Sequence, residues 1–315
     1  MPDPQSYPAA NPTYERRLVV FIDFLGFKEI VERTTHDPDY LGEILRAMDV
    51  LGEIGMEPEI FGSQRLTQFS DSIVLSYRID EESAVFWLLS QISLAVIGLV
   101  ERGFLIRGAV TVGDLYHHDR HVVGPAMVRA YEMESKKAKH PRVIIDPEVV
   151  RVARQSHAIG HAPDEEEEYV RAFITKDLDG LFFLDYVSWK SVIEVAGGND
   201  KRYPKYLEKL ARLIEQGLQH DNAGVAEKYL WLHRQYVDAL DLIRTLPADN
   251  GYRLENPENC TAIEAMPDMD ELAETTKERV AAARKSKWAI FRHLVRSWFR
   301  RWLPTARRPD DGQSP

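Results

Sequence analysis

The chain of 315 residues holds a single cysteine, Cys260. That excludes an intramolecular disulfide and any metal site built on several thiolates, and it predicts a reducing, cytoplasmic setting. Long hydrophobic runs are missing too. The longest, 92–100, is under half of what a helix needs to cross a bilayer. Residues 1–14 carry Pro, Ala and polar side chains in place of a basic segment followed by an apolar one, which predicts a disordered lead and no secretory leader. An excess of positive charge is also absent. Forty Lys and Arg against 50 Asp and Glu give a net charge of -10, the wrong sign for general binding to a phosphate backbone. The deficit is uneven, because the segment 277–308 is strongly basic and the remainder correspondingly more acidic. Internal repeats are lacking.

Apolar residues make up 44%, enough for a sizeable core. Leu18-Val-Val-Phe-Ile-Asp23 is an unbroken β-forming run and predicts a buried central strand. Phe24-Leu-Gly-Phe27 turns the chain into a helix beginning over 28–33, and a second helix is expected over 40–51. Arg65–Phe69 and Ile73–Tyr77 predict a hairpin across Ser70-Asp71-Ser72. An apolar helix over 83–102 ends at Gly103. A strand over 105–112, a polar loop over 114–121 and a short return strand at 122–124 lead to a helix that Pro125 opens and that runs to about Lys139. A strand at 142–145 and a helix from Pro147 follow. The acidic run Asp164–Glu168 predicts a solvated loop, 169–176 and 181–186 a terminal hairpin, and 206–218 and 225–246 two helices. Such alternation fits an α/β or α+β sandwich, a sheet covered by helices.

The residues that carry chemistry begin with Asp23, at the end of a buried strand and directly before a helix start. The free N–H groups of a helix N-terminus attract phosphate, and Gly26 lets a ligand approach the backbone closely. Asp71 stands on the hairpin turn between two small serines. Two carboxylates on adjacent strands can share hard divalent cations, and two such cations can bridge a triphosphate, activate a hydroxyl and stabilise departing pyrophosphate. Taken singly, each aspartate is also an ordinary cap or turn residue.

Four segments in order, Asp23-Phe-Leu-Gly-Phe27, Phe69-Ser-Asp-Ser-Ile73, Arg107-Gly-Ala-Val-Thr-Val-Gly113 and Val123-Gly124 before a helix, resemble the class III nucleotidyl cyclase catalytic domain across about residues 16–150. Within that family, Phe21–Lys28, Arg107–Val110, Val123–Ala126 and Pro141–Asp146 look most like the bacterial pyrimidine cyclases of Pycsar anti-phage signalling. The resemblance implies an α+β ferredoxin-like sandwich, mostly antiparallel, over 15–188. A helical extension over 189–250, a basic aromatic amphipathic helix over 269–303 and a disordered tail over 304–315 would follow. It implies a homodimer with sites at its interface, and conversion of UTP to 3′,5′-cyclic UMP, or of CTP to cyclic CMP, whose product a downstream effector reads. Asp23, Asp71 and the carbonyl of Phe24 would hold two Mn²⁺ or Mg²⁺ ions. Amides of Leu25, Gly26 and Phe27 would hold the β- and γ-phosphates, and Thr67 and His121 would shape the base pocket.

Three positions depart from the purine cyclases. Thr67 stands where they carry a Lys or Glu that reads the base, and Val128 and Glu132 stand where they carry Asn and Arg on the interface helix. Basic residues nearby that could supply transition-state donors are Arg129, Lys136, Arg107 and Arg142, with Arg129 and Lys136 the two selected as catalytic; a solvated or salt-bridged side chain is the plain alternative for each. A nucleotide-binding homologue without turnover is therefore a second reading. The run His117-His-Asp-Arg-His121 has no helical ligand spacing and predicts a polar hairpin tip. Trp288, Phe291, Val295, Trp298, Phe299 and Trp302 interleave with Lys and Arg, a pattern that suits packing on the core, a loose surface helix or contact with an anionic membrane.

Overall fold

The computed structural model describes residues 12–54, 62–197 and 199–302, without the side chains of 287–291 and 293–302. The side chains of the aromatic face of the basic helix, most of the expected disordered lead, and the tail therefore lie outside what is described.

The strand β1 (Glu15–Phe24) is an interior strand of a mixed sheet. Its burial runs unbroken from Leu18 to Ile22, as an interior strand covered on both faces requires. The hairpin β2 (Arg65–Phe69) and β3 (Ser72–Arg78) pairs antiparallel on one side of it, and β4 (Ile106–His118) on the other. β5 (His121–Val123) folds back on the end of β4. β6 (Val143–Ile145) joins β4 in parallel, and the short hairpin β7 (Ile174–Lys176) and β8 (Phe182–Leu184) completes the order β2-β3-β1-β4-β6-β8-β7. The α+β class expected from the sequence is the one found.

Helices α1 (Phe27–Thr34) and α2 (Pro38–Gly52) link β1 to the hairpin, and α3 (Ala84–Glu101) links β3 to β4. α2 starts where the Asp37 carboxylate accepts the Tyr40 N–H at 3.0 Å. α3 corrects the expectation drawn from apolar runs, because by length and composition it could cross a membrane. It is instead a core helix, with Leu88, Leu89, Ile92 and Leu99 wholly buried. α4 (Pro125–Lys137) lies on the opposite face of the sheet, over a small second core of Val19, Phe21, Val74, Leu115, Ala126 and Ala130.

Three sequence expectations fail locally. Asp114–His118 is not loop but the continuation of β4, held by Glu15, Arg16 and β5. The acidic run belongs to α6 (Pro163–Ala172), which follows α5 (Pro147–Ala153). Carboxylates suit the positive end of a helix, and Glu167 is further paired with Arg154 at 2.8 Å and Arg171 at 2.7 Å. Tyr169–Ala172 consequently closes that helix and does not begin a strand.

Beyond the sheet, α7 (Tyr203–Leu218) and α8 (Ala223–Arg244) form an antiparallel pair, with the short α9 (Gly251–Glu255), α10 (Pro257–Glu264) and the long α11 (Asp270–Trp302) after it. Helices thus also occupy 251–255 and 257–264, between the two expected helical regions. Leu207, Leu210, Ile214, Leu232 and Tyr236 belong to the same buried cluster as the sheet and α3, so the extension shares the core of the sheet.

Candidate active site

Strand register determines what surrounds Asp23. On β1 it lies opposite Ser72 of β3 on one side and Arg107 of β4 on the other. Side chains alternate along a strand, so Asp23 shares the α4 face with Val19 and Phe21. The Ser72 hydroxyl donates to Asp23 Oδ1 at 3.3 Å and Arg107 Nη2 to Oδ2 at 3.1 Å. Asp71 sits at the adjoining turn, which Ser70 enters with φ 53°, and its carbonyl receives the Phe24 N–H at 3.4 Å.

The two aspartates expected to work as a pair are therefore neighbours. Burial raises the Asp23 carboxyl above its ordinary range, interaction with the Asp71 carboxylate raises it further, and Arg107 opposes both. Two half-buried carboxylates at such range repel unless a cation lies between them. Among the described residues no three His, Cys, Asp or Glu side chains converge as a metal-binding group. The donor set at Asp23 and Asp71 is two carboxylates, which suits a hard cation that completes its shell with backbone carbonyl, phosphate and water oxygens.

Gly26 takes φ 77° and caps α1, a turn in which any other side chain would be strained. Its carbonyl accepts from Glu29 and Ile30, which leaves the N–H groups of Phe27 and Lys28 without partners inside the helix. Leu25 departs from expectation. Its N–H already donates to the Leu105 carbonyl at 2.8 Å and is not free for a phosphate. The Phe24 ring is buried against Phe104, so only its backbone faces the site.

The selected donors go elsewhere. Arg129 pairs with Asp146 at 2.5 Å, and Lys136 with Glu132 at 2.6 Å, so within one chain neither is brought to Asp23. Arg142 is buried between Asp177 and Asp179. Arg107 is the basic candidate that is brought there. Its Nε lies 2.6 Å from Oε1 of the buried Glu134 on α4, yet neither atom has an aligned hydrogen-bond partner among the described residues.

Thr67 is buried, with its hydroxyl held by His117 Nε2 at 2.8 Å and donating to the Asp119 carbonyl at 3.1 Å. His117 Nδ1 meets Ser76 Oγ at 2.9 Å, and the buried Arg17 donates to that same oxygen. Burial pushes the His117 imidazole down to about 4, so it is neutral near pH 7. The hairpin tip expected for 117–121 is present, with His117 turned inward and His121 exposed beside Tyr14, Tyr116 and Val123. His121 is not brought to Thr67; the carbonyl of Asp119 takes that place.

Sequence reasoning missed Lys228. It lies on α8, far along the chain, yet Asp23, Arg107, Glu134 and Glu29 all act on its charge. No motif surrounds it in the sequence, and only the docking of α8 reveals it.

No family model matches the chain, and no curated protein matches it. Solved structures similar to it include the adenylyl cyclase CyaB from P. aeruginosa, 13% identical over 46% of this chain and 83% of that one, with a TM-score of 0.37. Another is the monomeric guanylyl cyclase domain of the RhoGC fusion protein from the aquatic fungus Blastocladiella emersonii, 17% identical over 55% of this chain and 96% of that one, with a TM-score of 0.34.

Proposed function

We propose that this chain is a nucleotidyl cyclase that converts UTP to 3′,5′-cyclic UMP and pyrophosphate, with CTP to cyclic CMP as the alternative. The observation that carries the reading is the meeting of Asp23, at the end of β1, with Asp71, on the adjoining β2–β3 turn, beside Arg107 and the open first turn of α1.

Asp23, Asp71 and the carbonyl of Phe24 would hold two Mn²⁺ or Mg²⁺ ions, which when bound acidify the ribose hydroxyl and offset phosphate charge. The amides of Phe27 and Lys28 receive the β- and γ-phosphate oxygens at the positive end of α1. Arg107, freed from Asp23 as that carboxylate turns to other partners, donates to the transferring phosphate. The 3′-oxygen bonds to the α-phosphorus, the bond from that phosphorus to the β-bridging oxygen breaks, the hydroxyl proton passes to solvent and pyrophosphate leaves. Thr67 offers no charge for a purine edge, which favours a pyrimidine, and the 117–121 hairpin beside it bounds the base pocket. Arg129 and Lys136 stand on the outer side of α4 and would serve as donors across a homodimer interface. Cytoplasmic second-messenger synthesis in anti-phage defence, read by a cyclic-nucleotide effector, is the setting carried over from the sequence resemblance.

The second reading is nucleotide binding without turnover. It is favoured by Val128, exposed and apolar, and by Glu132, tied to Lys136. Incubating pure protein with ATP, GTP, CTP and UTP plus Mn²⁺, and resolving products by mass, separates the two. Cyclic UMP or cyclic CMP is expected, and it should be lost in Asp71→Ala and in Asp23→Asn. Metal-free Asp23→Asn should nevertheless melt no lower than the parent near pH 7, since it removes a buried charge and its repulsion. Full turnover by either variant would end the two-carboxylate assignment, and binding with no cyclic product from the parent would leave the second reading.

A further inference from the structure

Three side-chain contacts hold α8 against the half of the chain that carries the site. At its start, His220 in the turn from α7 faces Glu29 of α1, Nε2 to Oε2 at 3.6 Å. Further along, Trp231 Nε1 donates to Asp177 Oδ2 at 2.6 Å and Arg234 Nη2 to Asp177 Oδ1 at 2.5 Å. The same Asp177 pairs with the buried Arg142, just before β6. The Trp231 indole also stacks on His140, with ring centroids 5.6 Å apart.

Lys228 lies between these anchors, one turn before Trp231. It is half-buried, and makes no hydrogen bond or ion pair within 4 Å among the described residues. The charges that act on it are Arg107, Glu29, Asp23 and Glu134. A half-buried ammonium without a close partner is costly to keep. Here it sits on a helix anchored near its start to Glu29 of α1 and further along to Asp177, with Arg107, Glu29, Asp23 and Glu134 acting on its charge.

We propose that Lys228 is a substrate-binding residue for the triphosphate, so that the helical extension completes the site of its own chain. This rests on the reading of the site as one for a nucleoside triphosphate. Lys228 offers a mobile point charge suited to the terminal phosphates, and Arg107 a planar donor. Burial lowers the lysine's proton affinity, and Arg107 lowers it further. A bound polyanion opposes both effects.

The test compares the parent with Lys228→Met and Lys228→Arg, each checked for an unchanged melting temperature. Affinity for inorganic tripolyphosphate in the presence of Mn²⁺ is measured by calorimetry, and KM and kcat are measured for whichever nucleotide the parent cyclises. Lys228→Met is expected to weaken tripolyphosphate binding and raise KM at least tenfold, with Lys228→Arg restoring most of both. Unchanged affinity and KM in Lys228→Met would overturn the proposal while leaving the cyclase reading intact. A parent that neither cyclises a nucleotide nor binds tripolyphosphate would overturn the reading of the site, and with it this proposal. If Lys228→Met lowers the melting temperature, Lys228→Gln takes its place, and equal loss in Lys228→Arg would assign the residue to packing.

Discussion

Four residues, one on each of β1, β2, β3 and β4, show how far local chemistry reaches. His117 bridges Ser76 and Thr67 in a buried polar chain that ends at Arg17. Its imidazole falls from an ordinary 6.5 to about 4 in the folded chain, and burial is the first cause. A depressed histidine contributes stability that is present above the unfolded value and lost as pH falls toward the folded one. Between pH 6.5 and 4 the unfolded chain takes up a proton that the folded chain refuses, worth about 3 kcal/mol by the bottom of that window. Urea unfolding at pH 7 and pH 4 should therefore show a smaller loss in His117→Gln than in the parent; an equal loss would mean that the imidazole is not held neutral. The same scale shows what a sequence can and cannot disclose. Asp23 and Asp71 were legible because a strand end and a hairpin turn carry local signatures. Arg107 was one candidate among four, and strand register alone selected it. Lys228 was illegible, since nothing near it in the chain distinguishes it from any other helical lysine.

At the scale of elements, the joint between α7 and α8 sets the position of Lys228. A Cβ at Gly217 would fall 2.0 Å from the Tyr229 ring, so the two helices approach at a point where only glycine fits. Gly217→Ala should push α8 outward, lower the melting temperature by several degrees, as an overpacking cost of about 1–3 kcal/mol implies, and weaken tripolyphosphate binding although residue 217 touches no ligand. Retained binding with lowered stability would show that Lys228 tolerates the shift. The elements misread from sequence were those whose identity is decided by neighbours. Asp114–His118 is polar and reads as loop until Glu15 and Arg16 pair with it. The acidic run in α6 reads as solvated until Arg154 and Arg171 balance it and His161 meets the buried Glu166 at 2.9 Å. Long periodic segments such as α3 and α8 needed no such help and were placed within a few residues.

For the whole molecule, the outer side of α4 and the strand ends beside it carry apolar surface. Phe69, Val123, Val128 and Tyr131 are exposed apolar side chains on β2, β5 and α4, and Arg129 stands among them. The homodimer in the proposed function would bury these. Val128→Asp should shift sedimentation toward monomer and reduce turnover at least tenfold; a monomeric parent with full turnover would dismiss the dimer. The extension is bound to the sheet through Asp177, which joins Arg142, Trp231 and Arg234. That clamp has an optical side. Trp231 stacks on His140, whose imidazole burial holds down to about 4. A neutral imidazole leaves indole emission largely intact, whereas an imidazolium quenches it by accepting an electron from the excited ring. Trp231 thus carries a built-in lamp on the seam between sheet and extension: it dims as His140 takes up a proton, and its colour shifts toward that of indole in water wherever α8 lifts away.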